Sequence, residues 1–295
     1  MAHPVAKLLT GFFIAAVLLV AVAVVFTLSQ PAPSLTPLPK PNGYDDFAQA
    51  GRMLPENSPD FGTMSEEDLR TFVTKNSEAL KLARTGLSRA CRVPLDYSPT
   101  NETHFSNLAT LKRLALALAA EGRLAELENR PADAAAAYLA TIRLGQAVCR
   151  GGVIIDALVG IAVESIGTVR MEKLASTLDA KQCREATAVL ESCESQREPA
   201  DAVLANEKAW ARRTFGLKGQ FARLVMFKSM KQTEQRAIAK LTTQQTRLRR
   251  LLIQLAARAY ELEKGERPKS LAELVPAYLK TIPQDPLTGT NMAYP

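Results

Sequence analysis

The sequence predicts an all-α protein: an N-terminal transmembrane helix, a proline-rich linker, then an antiparallel multi-helix bundle ending in a short irregular tail. Three observations carry this reading. The run from Leu8 to Leu28 holds no charge and no proline. Ala and Leu dominate the rest of the chain, with few β-branched runs outside the apolar stretch, a composition that favours helices. Apolar residues in the second half of the chain recur at steps of three and four, the period of one helix face.

Taken in order, residues 1–29 form a tip and an anchor. About 20 apolar residues at 1.5 Å each match a hydrocarbon layer about 30 Å thick. A secretory leader has a shorter apolar core, of about 7–15 residues, so length favours a permanent anchor over a cleaved signal peptide. A pilin-type leader would need a glutamate where this chain has Ala16. Lys7 and the amino terminus precede the run, and no cation follows it until Lys40. The positive-inside rule then leaves the N-terminus in the cytoplasm and the rest outside it, on a single-pass protein of the cytoplasmic (inner) membrane.

Residues 30–43 contain five prolines and read as a polyproline-like spacer. The helical ectodomain is expected over 44–264. Its first helix runs from Tyr44 to Leu54. A second starts at the capping sequence Ser65, Glu66, Glu67, Asp68 and continues, interrupted only by Asn76, to about Cys91. A third covers Asn107 to Asn129, with His104 expected at its start as a surface or capping residue. A fourth runs from Ala132 to about Val148, with Pro131 in its first turn and Gly151 and Gly152 beyond its end. Val153 to Val163 is apolar nearly all round and reads as a buried central helix. Its Asp156 and Glu164 are candidate buried carboxylates, but about 80° apart around the helix, so they do not face one site. Ion pairs with Arg143, Arg150 or Arg170 are their expected fate.

Ala180 to Ser195 is the next helix. Pro199 then opens a basic helical region. The formal charge of +7 is unevenly placed, because Lys208 to Arg258 carries thirteen Lys or Arg and a single acid, Glu234. Trp210, Phe215, Phe221 and Phe227 interleave with the cations, so Lys208, Arg212, Arg213, Lys218, Arg223, Lys228, Arg247, Arg249 and Arg250 form a possible anionic-surface patch. The alternative is a solvated basic face whose aromatics turn inward. Nucleic acid is disfavoured as a ligand outside the cytoplasm. Ile238, Leu241, Gln245, Leu248, Leu252, Leu255, Ala259 and Leu262 then alternate steps of three and four, a coiled-coil seam with one polar break at Gln245. It packs on the bundle or on another copy of the chain. Gly265 ends it, and 265–295 reads as a short helix capped by Ser270, then an extended tail turning at Leu287, Thr288 and Gly289.

Cys91, Cys149, Cys183 and Cys193 show no CxxC spacing, and only His3 and His104 could add imidazole, so neither metal nor cofactor is expected. Cys183 and Cys193 lie about 15 Å apart along one helix, beyond disulfide reach. Alternating helix directions put Cys91, Cys149 and Cys193 at one end of the bundle. A bond between Cys91 and Cys149 is possible, and four buried thiols is the alternative. No nucleophile–base set, no HExxH and no G-x-S-x-G is present, so no catalytic residue is expected.

Three resemblances stand beside these readings. Gly122, Ala134 and Tyr138 fall at the small and aromatic positions of a tetratricopeptide repeat, which implies one repeat-like helix pair. Tyr260, Gly265, Pro268, Ser270, Leu271, Leu274, Val275, Pro276, Tyr278, Leu279, Pro283, Asp285, Pro286 and Gly289 resemble the region after the long helix of type II secretion pseudopilins, which implies a reused packing module. The anchor, the proline spacer, the segment from Cys91 to Tyr97, the Ala/Leu helices and this tail together resemble a family of uncharacterised bacterial single-pass membrane proteins, which implies a single all-helical ectodomain. The functional expectation is a membrane-anchored scaffold for protein–protein interaction in the cell envelope. Binding of an anionic envelope surface through 208–258 is the alternative, and an envelope hydrolase a remote one.

Overall fold

The computed structural model describes residues 12–22, 36–56, 60–98, 102–225 and 227–293, with the side chains of 102, 103, 105 and 217–228 excepted. Every regular element among them is a helix, and the one extended pairing among them is a bridge between Gln284 and Asn291. Of the apolar run, only 12–22 is described, as a helix (α1) whose Phe12, Phe13 and Leu19 are exposed. Among the described residues no helix is long and apolar enough to cross a membrane; the rest of the run lies outside them.

The next element, α2 (Gly43–Met53), starts where the Asn42 side chain accepts from the Tyr44 N–H, with Asp45 and Asp46 in its positive first turn. The single helix expected from Ser65 to Cys91 is two, α3 (Glu66–Lys75) and α4 (Ser77–Leu87). Asn76 divides them because its side-chain amide donates to the Phe72 carbonyl at 2.8 Å, competing with the helical ladder. The following helix, α5 (Glu102–Leu127), begins a turn before Asn107 and so contains His104. A short connection through Asn129, at φ 53°, leads into α6 (Pro131–Ala147), with Pro131 in its first turn as expected. The central helix α7 (Ile154–Leu174) runs well past Val163. It is followed by a short 3₁₀ turn, Ala175–Thr177, and by α8 (Ala180–Ser195), whose Asp179 and Gln182 form a reciprocal capping box. The basic region is α9 (Ala200–Val225), kinked at Gly216, and α10 (Phe227–Lys264) ends at the left-handed Gly265.

Helices α6 and α7 form the centre. They come to backbone contact where Gly145 meets Gly160: a Cβ on Gly145 would stand 2.5 Å from the Glu164 nitrogen, and one on Gly160 2.5 Å from the Gly145 carbonyl oxygen. On one side of this pair α2, α4 and α5 close a core around Tyr44, Phe47, Leu80, Leu111, Leu114 and Leu144. On the other, α8, α10 and the tail close a core around Tyr138, Met171, Leu190, Leu252 and Leu274.

The seam on α10 belongs to this second core. Leu248, Leu252, Leu255 and Ala259 are buried within the chain itself, and Leu262 is exposed. The buried polar residue is Gln244, hydrogen-bonded to Glu164 and Thr168, whereas Gln245 lies half-buried against Glu194. Of the two expected uses of the seam, packing on the bundle or on another copy, the chain makes the first with Leu248, Leu252, Leu255 and Ala259. In the tail, Leu271–Leu274 is a 3₁₀ turn with no side-chain cap from Ser270, and Asp285 Oδ1 accepts from the Leu287 and Thr288 N–H groups of the closing turn.

Candidate functional site

Helix α6 is unusually rich in small residues, and its burial is asymmetric. Two faces go to the cores. Between them Ala132, Ala136 and Arg143 are exposed, and with the edges of the two cores, Ala135 and Leu139 on one side and Ala140 on the other, they floor a trough of about 410 Å³. Its walls are the end of α4, with Arg84 and Leu87, and α8, with Gln182, Glu185, Ala186 and Val189. Leu87, Arg143 and Val189 also line an adjoining hollow of about 570 Å³, which extends along α6 to Gln146, Ala147 and Arg150 and along α8 to Ser192, Cys193 and Gln196. The two are continuous. The α6 part of the floor, from Ala132 to Ala147, is about 22 Å long at 1.5 Å per residue, enough for some four turns of a docked helix.

Its electrostatics follow from who is already paired. Arg84 meets Glu121, and Arg89 is bidentate on Asp46 at 2.8 Å. Arg143 donates to the neutral Leu87 carbonyl at 2.9 Å, and Arg150 to the Gln196 side-chain carbonyl at 3.0 Å. The trough is therefore mainly apolar along its floor, cationic at Arg143 and Arg150, and acidic on the α8 wall at Glu185, which stands 3.9 Å from Lys181. Sequence reasoning missed it, because Ala134–Ala137 reads equally as core. The faint signal was an excess of small residues over what one buried face needs.

The carboxylates of α7 are buried as expected but find other partners. Asp156 is paired with His104 Nε2 at 2.9 Å, and its second oxygen accepts from the Val153 N–H at 2.8 Å, closing the first turn of α7. His104 is thus a buried residue tying α5 to α7, not a surface cap. Glu164 is bound by Arg197 at 2.8 Å, and Arg197 also holds Glu194 at 2.6 Å. With the Gln146 amide turned to satisfy its neighbours, its oxygen accepts from Arg197 at 2.9 Å. Arg143 and Arg150 donate instead to the Leu87 carbonyl and the Gln196 side chain. Burial pushes the Glu164 carboxyl up, and Arg197 opposes it.

Burial lowers the affinity of His104 for a proton, but the Asp156 hydrogen bond and charge, with the Asp96 charge, outweigh it and hold its pKa above the ordinary value. A folded pKa above the unfolded value of about 6.5 stabilises the fold fully below about pH 6.5, and this is lost as pH rises through the folded value. Thermal melts of the native chain and His104→Gln should therefore differ more at pH 5.5 than at pH 8.5. Equal differences at both pH values would exclude a charged His104.

The basic candidates are dispersed rather than gathered. Arg247 is bidentate on Glu172, and Arg249 binds Glu194 and the Gln284 carbonyl. Lys208 and Arg250 are exposed, Arg212 is half-buried, and Arg213 stands over the Tyr97 ring at 5.7 Å. The side chains of Lys218, Arg223 and Lys228 lie outside the described ones. Acids from α7 and α8, distant in sequence, neutralise part of the run.

All four cysteines are free. The bond considered between Cys91 and Cys149 is not made: Cys91 Sγ donates to the Ala147 carbonyl and Cys149 Sγ to the Gln146 carbonyl, each at 3.2 Å. Burial pushes both thiols up to about 12. Among the described residues no group of His, Cys, Asp or Glu is arranged to hold a metal ion. No protein-family model, no curated protein and no solved structure matches this chain.

Proposed function

We propose that this protein is a membrane-anchored, extracytoplasmic scaffold that holds a helical segment of another envelope protein, without catalysis. The observation that carries it is the trough on α6, open to solvent, floored by alanines and bounded by two other helices. Small floor residues let a partner backbone approach closely, and apolar contact along the groove is the usual mode of helix capture. Arg143 and Arg150 select a partner helix with acidic residues two turns apart. Anchoring is supported by the uncharged run Leu8–Leu28 and by the outward apolar side chains of α1. The cationic N-terminal flank supports an N-terminus in the cytoplasm.

The test is site-specific photo-crosslinking in membranes of the source cell. A photo-reactive residue at Ala136 should give a discrete protein adduct, lost when Arg143 and Arg150 both become Glu. The same probe at Arg250, on the basic face of α10, should give none. Adducts from position 250 alone would move the function to the basic segment.

A further inference from the structure

A separate hollow, of about 250 Å³, lies where the linker reaches the bundle. Thr36 and Leu38 of the linker line it, with Arg92 and Tyr97 from the segment after α4 and Asn206 and Trp210 from α9. We propose that this hollow binds the head group of an anionic phospholipid in the bilayer that holds the chain's own apolar run; the proposal rests on the anchored reading above.

Charge is the first reason. Among the described residues that line the hollow, Arg92 is the one charged side chain, and none is a carboxylate. The nearby acids are committed elsewhere. Asp96 accepts from the Ser98 N–H and hydroxyl, Glu198 from the Gly151 N–H and Asn206, and Glu207 from the Ile154 N–H. The Arg213 guanidinium over the Tyr97 ring adds a second cation at the edge. A phosphate entering here meets the fork of Arg92, which suits its oxygens, beside a phenol and a threonine hydroxyl.

Shape is the second reason. Leu38, Pro94, Leu95 and the Trp210 indole make an apolar wall, and the indole N–H is already satisfied by the Asp96 carbonyl at 2.7 Å. A free inorganic anion has no use for such a wall, whereas the glycerol and upper acyl carbons of a lipid do. Tryptophan and tyrosine are suited to this boundary because each offers an apolar body with one polar edge.

Position is the third. Thr36 follows Leu28 by 36 − 28 = 8 residues, which span at most about 29 Å when fully extended. The hollow is therefore tethered within one lipid-layer thickness of the end of the apolar run.

Trp210 is the only tryptophan in the chain, so its emission reports on this hollow alone. The full chain, held in neutral phosphatidylcholine nanodiscs, is titrated with monomeric dihexanoyl-phosphatidylglycerol, with dihexanoyl-phosphatidylcholine and with inorganic phosphate. A saturable emission change is expected with the anionic lipid, at least about tenfold weaker with the other two. Arg92→Gln should weaken it about tenfold with an unchanged thermal melt, and Arg92→Lys should restore part of the loss. Equal binding of inorganic phosphate would make this a free-anion site and overturn the proposal, as would equal binding of the neutral lipid. An affinity untouched by Arg92→Gln would overturn it as well. Flotation of the chain with neutral liposomes after carbonate washing tests the anchor separately. Loss of flotation with lipid binding intact would sink the anchor and leave the hollow, and the reverse result would do the opposite.

Discussion

Arg197→Met should be among the most damaging substitutions in this protein, lowering stability by about 3–5 kcal/mol. Arg197 is the shared partner of two carboxylates, Glu164 and Glu194, and Glu164 is only 2 % exposed. Removing the guanidinium strands a carboxylate against α10, with only the Gln244 amide at 3.3 Å to replace it. The double variant Glu164→Leu with Arg197→Met should recover most of the loss, because a well-packed apolar pair replaces a buried ion pair at little cost. The pH dependence has a fixed sign. Burial raises the Glu164 pKa in the folded state above its unfolded value, and Arg197→Met removes the main group that opposes that shift. The folded state then binds the extra proton, so the variant regains stability as pH falls through the folded value and is worst above it. Urea midpoints at pH 5 and pH 8 measure both effects. A single variant as stable as the native chain at pH 8 would show that the pair is solvated in solution.

Gly145→Val should cost about 3 kcal/mol, the upper end of what overpacking in a dense core produces. Its new Cβ would lie 2.5 Å from the Glu164 nitrogen, 2.6 Å from the Gly160 oxygen and 2.8 Å from the Glu164 Cα. All three are backbone atoms, so no side chain can rotate away and α6 and α7 must separate. That separation also drags Glu164 from Arg197, so the effects of the two substitutions are coupled and their sum overestimates the double variant. Ala136→Val, on the same helix but facing the open trough, should change stability by less than about 0.5 kcal/mol. A chemical-denaturation comparison of the two distinguishes a packed interface from a solvent-facing one. Similar costs at 145 and 136 would mean that the α6–α7 contact is looser than described.

Much of the bundle is written locally. Helix starts at Ser65, Pro131 and Ala180 and the stop at Gly265 rest on chemistry within a few residues, and the structure has all of them. The burial of Asp156 and Glu164 was legible too, since a carboxylate inside an almost wholly apolar helix has no polar face to turn to. Their partners were not. His104 lies 52 residues before Asp156 (156 − 104 = 52), and Arg197 is 33 residues beyond Glu164. Neither spacing leaves a periodic trace. Asn76 was visible as an interruption, but whether it bends a helix or ends one depends on its amide reaching back to Phe72.

The sequence alone determined that this chain is helical and where several of its helices begin or end, and it showed an uncharged apolar run from Leu8 to Leu28. Those features rest on propensity, capping and apolar period, which act over a handful of residues. Only the tertiary structure decided which apolar faces are used up and which stay open. The α10 seam is consumed by α7 and α8, while Ala132, Ala136 and Arg143 of α6 stay exposed in a trough. The basic run is partly neutralised by Glu172 and Glu194, and Trp210 of α9 meets Arg92 and Tyr97 from the segment after α4. Such outcomes depend on how helices pair across long stretches of chain, where the free energy lies in contacts between faces rather than within any one of them.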